Sequence, residues 1–181
     1  MWTYLPYGPF TCFDECCRWL EPASRSDDPI FFAIVDALTG TASGVASYLR
    51  IDPANGSIEV GHIALSPRLQ RSTPVTEAMF LMMRWAFASG YRRYEWKCNA
   101  LNQTSRRAAM RLGLSYEGVF RQAAVVKGRN RDTAWYAATD LEWPALQDAF
   151  TRWLDPGNFD ASGLQRVSLA ILTEPILVAR G

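Results

Sequence analysis

The sequence predicts an α/β chain built on a mixed sheet, and three observations lead there. Before residue 66, β-rich runs are joined by short turns. The hydrophobic period then switches to helical spacing over one long segment, and another β-rich run follows directly. Turn-joined runs form an antiparallel meander, whereas a strand reached through a helix lies parallel to the strand before it.

Taken in order, Thr11 with Asp14 and Glu15 marks a helix start. Phe13, Cys17 and Leu20 share one face, and Pro22 with "SRSDDP" closes the helix. "IFFAIVD" (30–36), "GVASYLRI" (44–51) and "SIEVGHIAL" (57–65) are strands, separated by "LTG" and by the strong turn "DPANG". Val75, Met79, Met82 and Ala86, flanked by Phe80, Met83 and Phe87, define a helix that ends at Gly90. Its methionine and aromatic stripe reads as core. "RRYEWKC" (92–98) is the parallel strand, and a second helix spans Asn102 to Leu112, stopped by Gly113. Strands 119–126 and 133–139 flank "KGRN" as a C-terminal hairpin, and Pro144 to Leu154 carries helical spacing. The expected organisation is one domain over residues 1–154, followed by an extension, 155–181, without legible structure.

Composition narrows the classes. Nineteen basic against eighteen acidic side chains leave a net charge of +1, which argues against a broad nucleic-acid or anionic-membrane surface. No apolar run approaches the roughly 20 residues that span a bilayer. The start "MWTYLPYGPF" lacks the basic and apolar blocks of a secretory signal, so a cytoplasmic location is expected. Cys12, Cys16, Cys17 and Cys98, with His62 as the one histidine, match no common metal-ligand spacing and read as reduced thiols. Self-association into a homodimer is left open.

In open α/β sheets ligands bind beyond the carboxyl ends of the strands, near helix N-termini. That rule points to residues 66–76 and 98–105. The first of these lies in "PRLQRSTPVTEAM" (67–79), a strand-to-helix turn without any glycine.

The element order together with "NALNQTSRRAAMRLGLSYEGVFR" (99–121) resembles the GNAT superfamily of N-acetyltransferases. The sharpest match is Asn102-x-x-Ser105, then Arg107-Ala108 and Leu112-Gly113. "VVKGRNRDTAWY" (125–136) and "EWP" (142–144) are similar to the branch that includes the ribosomal-protein N-terminal acetyltransferases. The resemblance implies acetyl-CoA as co-substrate between two splayed strands, 57–65 and 92–98, with its pyrophosphate on the turn before the first crossover helix. An amine acceptor, on a peptide or a small molecule, attacks the thioester without a covalent enzyme intermediate.

The resemblance also assigns roles. Arg68 and Arg71 supply charge to the phosphates, the Ser72 and Thr73 hydroxyls donate, and the N–H groups from Val75 and Thr76 add the helix dipole. Thr73 is the expected N-cap, with Pro74 in the first turn. Ser72 and Pro74 stand where the family usually has glycine or alanine, so an ordinary capped helix start with solvated arginines is the competing reading. Asn102 is expected at the pantetheine arm and Ser105 near the sulfur, where a local helix cap is the simpler role. Arg107, with Arg106, reaches the nucleotide or faces solvent. Many members carry a tyrosine acid where this chain has Ala109, which leaves Ser105 as the candidate stabiliser of the thiolate. For the base, Glu59 ranks first, followed by His62 and Glu117. Glu59 and His62 cannot face one cleft unless a bulge intervenes. The acceptor pocket is expected from Tyr4 to Phe10, Trp96, Phe120 and Trp135. A non-catalytic acyl-CoA-binding module is the alternative, motivated by the missing loop glycines, the absent tyrosine and a short N-terminal region with one legible helix.

Overall fold

The computed structural model describes residues 2–181. Helix α1 (Phe13–Ala23) precedes strands β1 (Ile30–Val35), β2 (Ala42–Asp52) and β3 (Ser57–Leu65). Helix α2 (Thr73–Ala88), strand β4 (Arg93–Asn99) and helix α3 (Gln103–Arg111) follow. The chain continues through β5 (Ser115–Val126), β6 (Arg129–Thr139), α4 (Trp143–Leu154) and the short α5 (Leu169–Thr173). The six strands lie in the order β1-β2-β3-β4-β6-β5, antiparallel throughout except where β3 meets β4. The mixed α/β sheet expected from the sequence is therefore present. Among the described residues, no helix is long and apolar enough to cross a membrane.

Burial explains the topology. Along β4, Tyr94, Trp96 and Cys98 are buried on one face while Glu95, Lys97 and Asn99 occupy the other. The first set packs with Met79, Phe80 and Met83 of α2 and Leu146, Phe150 and Trp153 of α4 in a single core. α3 ends at Gly113, whose φ of 85° suits a residue without a side chain. A Cβ there would drive into Leu146.

Two features of the sheet position the site. β3 and β4 pair only from Ser57↔Arg93 to Val60↔Trp96, although both strands run on, so they part towards their carboxyl ends. The β2–β3 register also slips twice. Ser47↔Gly61 and Val45↔Ala64 leave an extra residue in β3, and Leu49↔Glu59 and Asp52↔Ser57 leave one in β2. His62 (φ 50°) and Arg50 (φ 49°) take left-handed backbone at these bulges.

Three expectations need adjustment. The hairpin turn is Lys127–Gly128 (φ 50° and 73°), so β6 begins at Arg129 and "KGRN" is only half turn. β5 begins at Ser115, with Glu117 as a bulge between Tyr116↔Tyr136 and Gly118↔Trp135. Residues 155–181 are ordered on the domain. Asp155 caps a turn at 156–158, and Asn158 donates to the carbonyls of Trp153 and Val167. Leu169 and Thr173 are buried, with the Thr173 hydroxyl on the Arg111 carbonyl. The chain end lies beside β5, where the Tyr116 N–H donates to the Ala179 carbonyl.

Candidate active site

The parting of β3 and β4 opens a cleft of about 270 Å³ that reaches both faces of the sheet. Val60, Trp96 and Cys98, with Asn102 and Ser105 from the start of α3, line the helix side. Leu49, Arg50, Glu59, Gly61, His62, Lys97 and Arg131 line the remainder, and Tyr4, Leu5 and Pro6 close over it.

On the helix side the local and the chemical readings coincide. Asn102 caps α3, its Oδ1 accepting from the Ser105 N–H at 3.2 Å. The cap turns the Ser105 hydroxyl towards the cleft, where it accepts from Trp96 Nε1 at 3.0 Å and lies near the Cys98 thiol. Burial pushes that thiol up despite the hydroxyl, so it stays protonated and unreactive. Ala109 is wholly buried.

On the other face Glu59 is buried, and both of its ion pairs fall on one oxygen. Oε2 receives Arg50 Nη1 at 3.1 Å and Lys97 Nζ at 3.0 Å. Oε1 makes neither contact and points past Gly61, 3.7 Å from where a Cβ at Gly61 would sit. Such a Cβ would also press on Leu49 at 2.9 Å, so this position keeps glycine for space. Burial raises the Glu59 carboxyl above its usual range, with Lys97 and Arg50 pulling the other way. Lys97 is itself buried, lies 3.7 Å above the Trp135 ring and shares its charge with Glu95 at 2.6 Å.

The bulge supplies the condition set by strand alternation: Glu59 and His62 both border the cleft. His62 Nδ1 lies 2.8 Å from Ser47 Oγ, and its ring packs against Phe31 and Tyr7. Burial, then Arg50 and Arg131, hold its pKa below the usual value, so it is neutral near pH 7. Glu117 is instead clamped on the outer sheet by Arg93 and does not border the cleft. Phe120 packs on Trp135, and neither lines the cleft. Tyr4 does, its hydroxyl on the Leu101 carbonyl, whereas Tyr7 reaches the His62 carbonyl.

The strand-to-helix turn is built differently from expectation. Ser72 occupies the N-cap, Thr73 opens the helix, and Pro74 sits in its first turn. The Ser72 hydroxyl folds back onto the Leu69 carbonyl at 2.6 Å. Thr76 Oγ1 is buried against Arg111 at 3.1 Å, and with Ser72 as the N-cap its N–H enters the helix ladder, so Thr76 supports the turn rather than facing a ligand. Arg71 takes the left-handed conformation (φ 61°) that a glycine would adopt freely, and the buried Leu69 side chain pins the turn. Arg68 and Arg71 are exposed, and the first-turn N–H groups have no intrahelical acceptor. Val75 is half-buried against the core, Arg107 is exposed on α3, and Arg106 is held by the Tyr136 hydroxyl.

Sequence reasoning missed Arg50, Lys97 and Arg131. Nothing local marks them, because bulges and strand register bring them to the cleft.

The chain thus combines a six-stranded mixed sheet, a central parallel pair that splays open and a capped helix beside the opening. Residues 1–115 match the family model described as Acetyltransferase (GNAT) domain, and the chain belongs to the GNAT acetyltransferase family. A GCN5-related N-acetyltransferase from Brucella melitensis is 49% identical, with a TM-score of 0.93, over 96% of this chain and 79% of that one. A probable GNAT-family acetyltransferase from Chromobacterium violaceum is 42% identical, with a TM-score of 0.76, over 80% and 73%. RimL, a ribosomal L7/L12 α-N-protein acetyltransferase solved in complex with coenzyme A, is 28% identical. Its TM-score is 0.52, over 56% of this chain and 58% of that one. No curated protein matches the chain.

Proposed function

We propose that the chain transfers an acetyl group from acetyl-CoA to a primary amine by direct attack on the thioester. The observation that carries this reading is the cleft through the splayed strands, with an uncommitted carboxylate oxygen on one face and a hydroxyl on the other. Family membership and the coenzyme A complex of RimL support the donor.

Each chemical requirement has a residue. Arg68, Arg71 and the free first-turn N–H groups of α2, those of Thr73 and Val75, would hold the pyrophosphate, and the exposed Arg107 adds charge nearby. Asn102 retains its amide nitrogen for the pantetheine arm while Oδ1 caps the helix. The β3 bulge takes backbone N–H groups around His62 out of register, which suits them to polarise the thioester carbonyl. Glu59 Oε1 accepts the ammonium proton, directly or through one water. Its raised pKa suits that role, and protonation at Oε1 leaves both ion pairs on Oε2 in place. His62 borders the same cleft as a neutral relay. Ser105 donates to the departing thiolate.

Purified protein mixed with acetyl-CoA and a broad amine panel should release free thiol. Saturable coenzyme A binding without thiol release for any amine would instead favour the acyl-CoA-binding module.

A further inference from the structure

The charges around the cleft are not balanced. Arg50, Lys97 and Arg131 border it against one carboxylate, Glu59. Arg50 and Lys97 are spent on Glu59, and Lys97 also on Glu95. Among the described residues, Arg131 makes no ion pair and no side-chain hydrogen bond. Its neighbour Asp132 already accepts from the Gln122 N–H and from Asn130.

Register places Arg131 on a particular side. Trp135 sits opposite Lys97, with its ring under the ammonium, so both share the face turned away from α2 and α3. Two steps of alternation back along β6 put Arg131 on that face. Its Cβ is thus on the side where Glu59 waits for a proton, and the splay lets its charge reach Cys98 as well. Its charge is also felt at His62, which lines the same cleft.

A half-buried guanidinium without a partner is costly unless a ligand completes it. The planar fork matches a carboxylate by two parallel hydrogen bonds. A purely cationic acceptor such as a diamine would instead meet the unbalanced positive charge of this wall. We propose that the acceptor is a free α-amino acid, and that Arg131 docks its carboxylate while the amino group faces Glu59. This deepens, and rests on, the N-acetyltransferase reading.

The test compares free amino acids with their own amides and with a diamine, in wild type, Arg131→Gln and Arg131→Lys. Two readouts are taken: thiol release from acetyl-CoA, and calorimetric binding to the coenzyme A complex. In wild type, kcat/KM for an amino acid should exceed that for its amide by roughly 10- to 100-fold, the scale of a hydrogen-bonded charge pair. Arg131→Gln should collapse that ratio towards one, and Arg131→Lys should restore part of it. A wild-type ratio near one, a diamine preferred over every amino acid, or an equal fall for both members of a pair in Arg131→Gln overturns the proposal. If no amine is turned over, calorimetry still decides. Binding of amino acids but not amides, lost in Arg131→Gln, keeps the docking site while the catalytic reading falls. No such difference removes both.

Discussion

Glu59 divides its work between two oxygens, and this separation governs what its replacement should do. In Glu59→Gln the amide still fills the space beside Gly61 but accepts no proton. We expect turnover to fall on the order of 100-fold, with coenzyme A affinity preserved. Wild-type activity should rise with pH as the Glu59 carboxyl ionises, on the high side of ordinary carboxylates because burial raises it. That acidic limb should vanish from the pH–rate profile of the variant. His62 makes a separate prediction for stability. Its folded pKa lies below the ordinary histidine value of 6.5, so the unfolded chain binds the proton more readily. The stability it contributes is present above pH 6.5 and lost as pH falls through the lowered value. Melting temperatures between pH 7.5 and pH 5.5 should therefore fall more in wild type than in His62→Gln, a difference that cancels the opposite contribution of Glu59. At this scale Asn102 and Ser105 were legible because a cap and its helix are neighbours in sequence. Arg50, Lys97 and Arg131 were not, because each acquires its meaning from a partner strand.

Elements explain how the site is held. The α2 turn dispenses with glycine by burying Leu69 and placing Arg71 in left-handed backbone, which also projects a cation at the helix entrance. Arg71→Glu should raise the coenzyme A dissociation constant by at least roughly tenfold, since it would reverse a charge beside the proposed pyrophosphate site, and calorimetry measures it. On the other side, Lys127 Nζ donates to the carbonyls of Trp2, Tyr7 and Gly8 at 2.9, 3.1 and 2.7 Å, strapping the N-terminal segment across the cleft. Lys127→Met should leave coenzyme A affinity intact, raise KM for the acceptor, and speed proteolytic cleavage within residues 2–8. Element order was readable from period and turn signals. Boundaries slipped where physics overrode propensity: Lys127 takes a conformation that sequence rules reserve for glycine or asparagine, and the Glu117 bulge hides the start of β5. The splay of β3 from β4 came only with the family resemblance, because two strands that stop pairing look like two that continue.

Across the whole molecule, the C-terminal segment belongs to the fold that supports the site. Leu169 is fully buried against the core, and the Thr173 hydroxyl ties the segment to the end of α3. Leu169→Ala should cost about 2–5 kcal/mol, read by denaturant unfolding, with coenzyme A affinity unchanged under native conditions. Its short apolar run carries no periodicity, so only the surface prepared by α3 and α4 reveals its place. The chain end has one more effect. By accepting from Tyr116 it shields the first part of β5, and the slipped register between Phe120 and Ala124 interrupts the rest of that border. The opposite border, β1, carries exposed Phe32 and Val35 and, among the described residues, no neighbour beyond it. Among the described residues, therefore, the open template for a strand added by another chain, or by aggregation on heating, lies at β1.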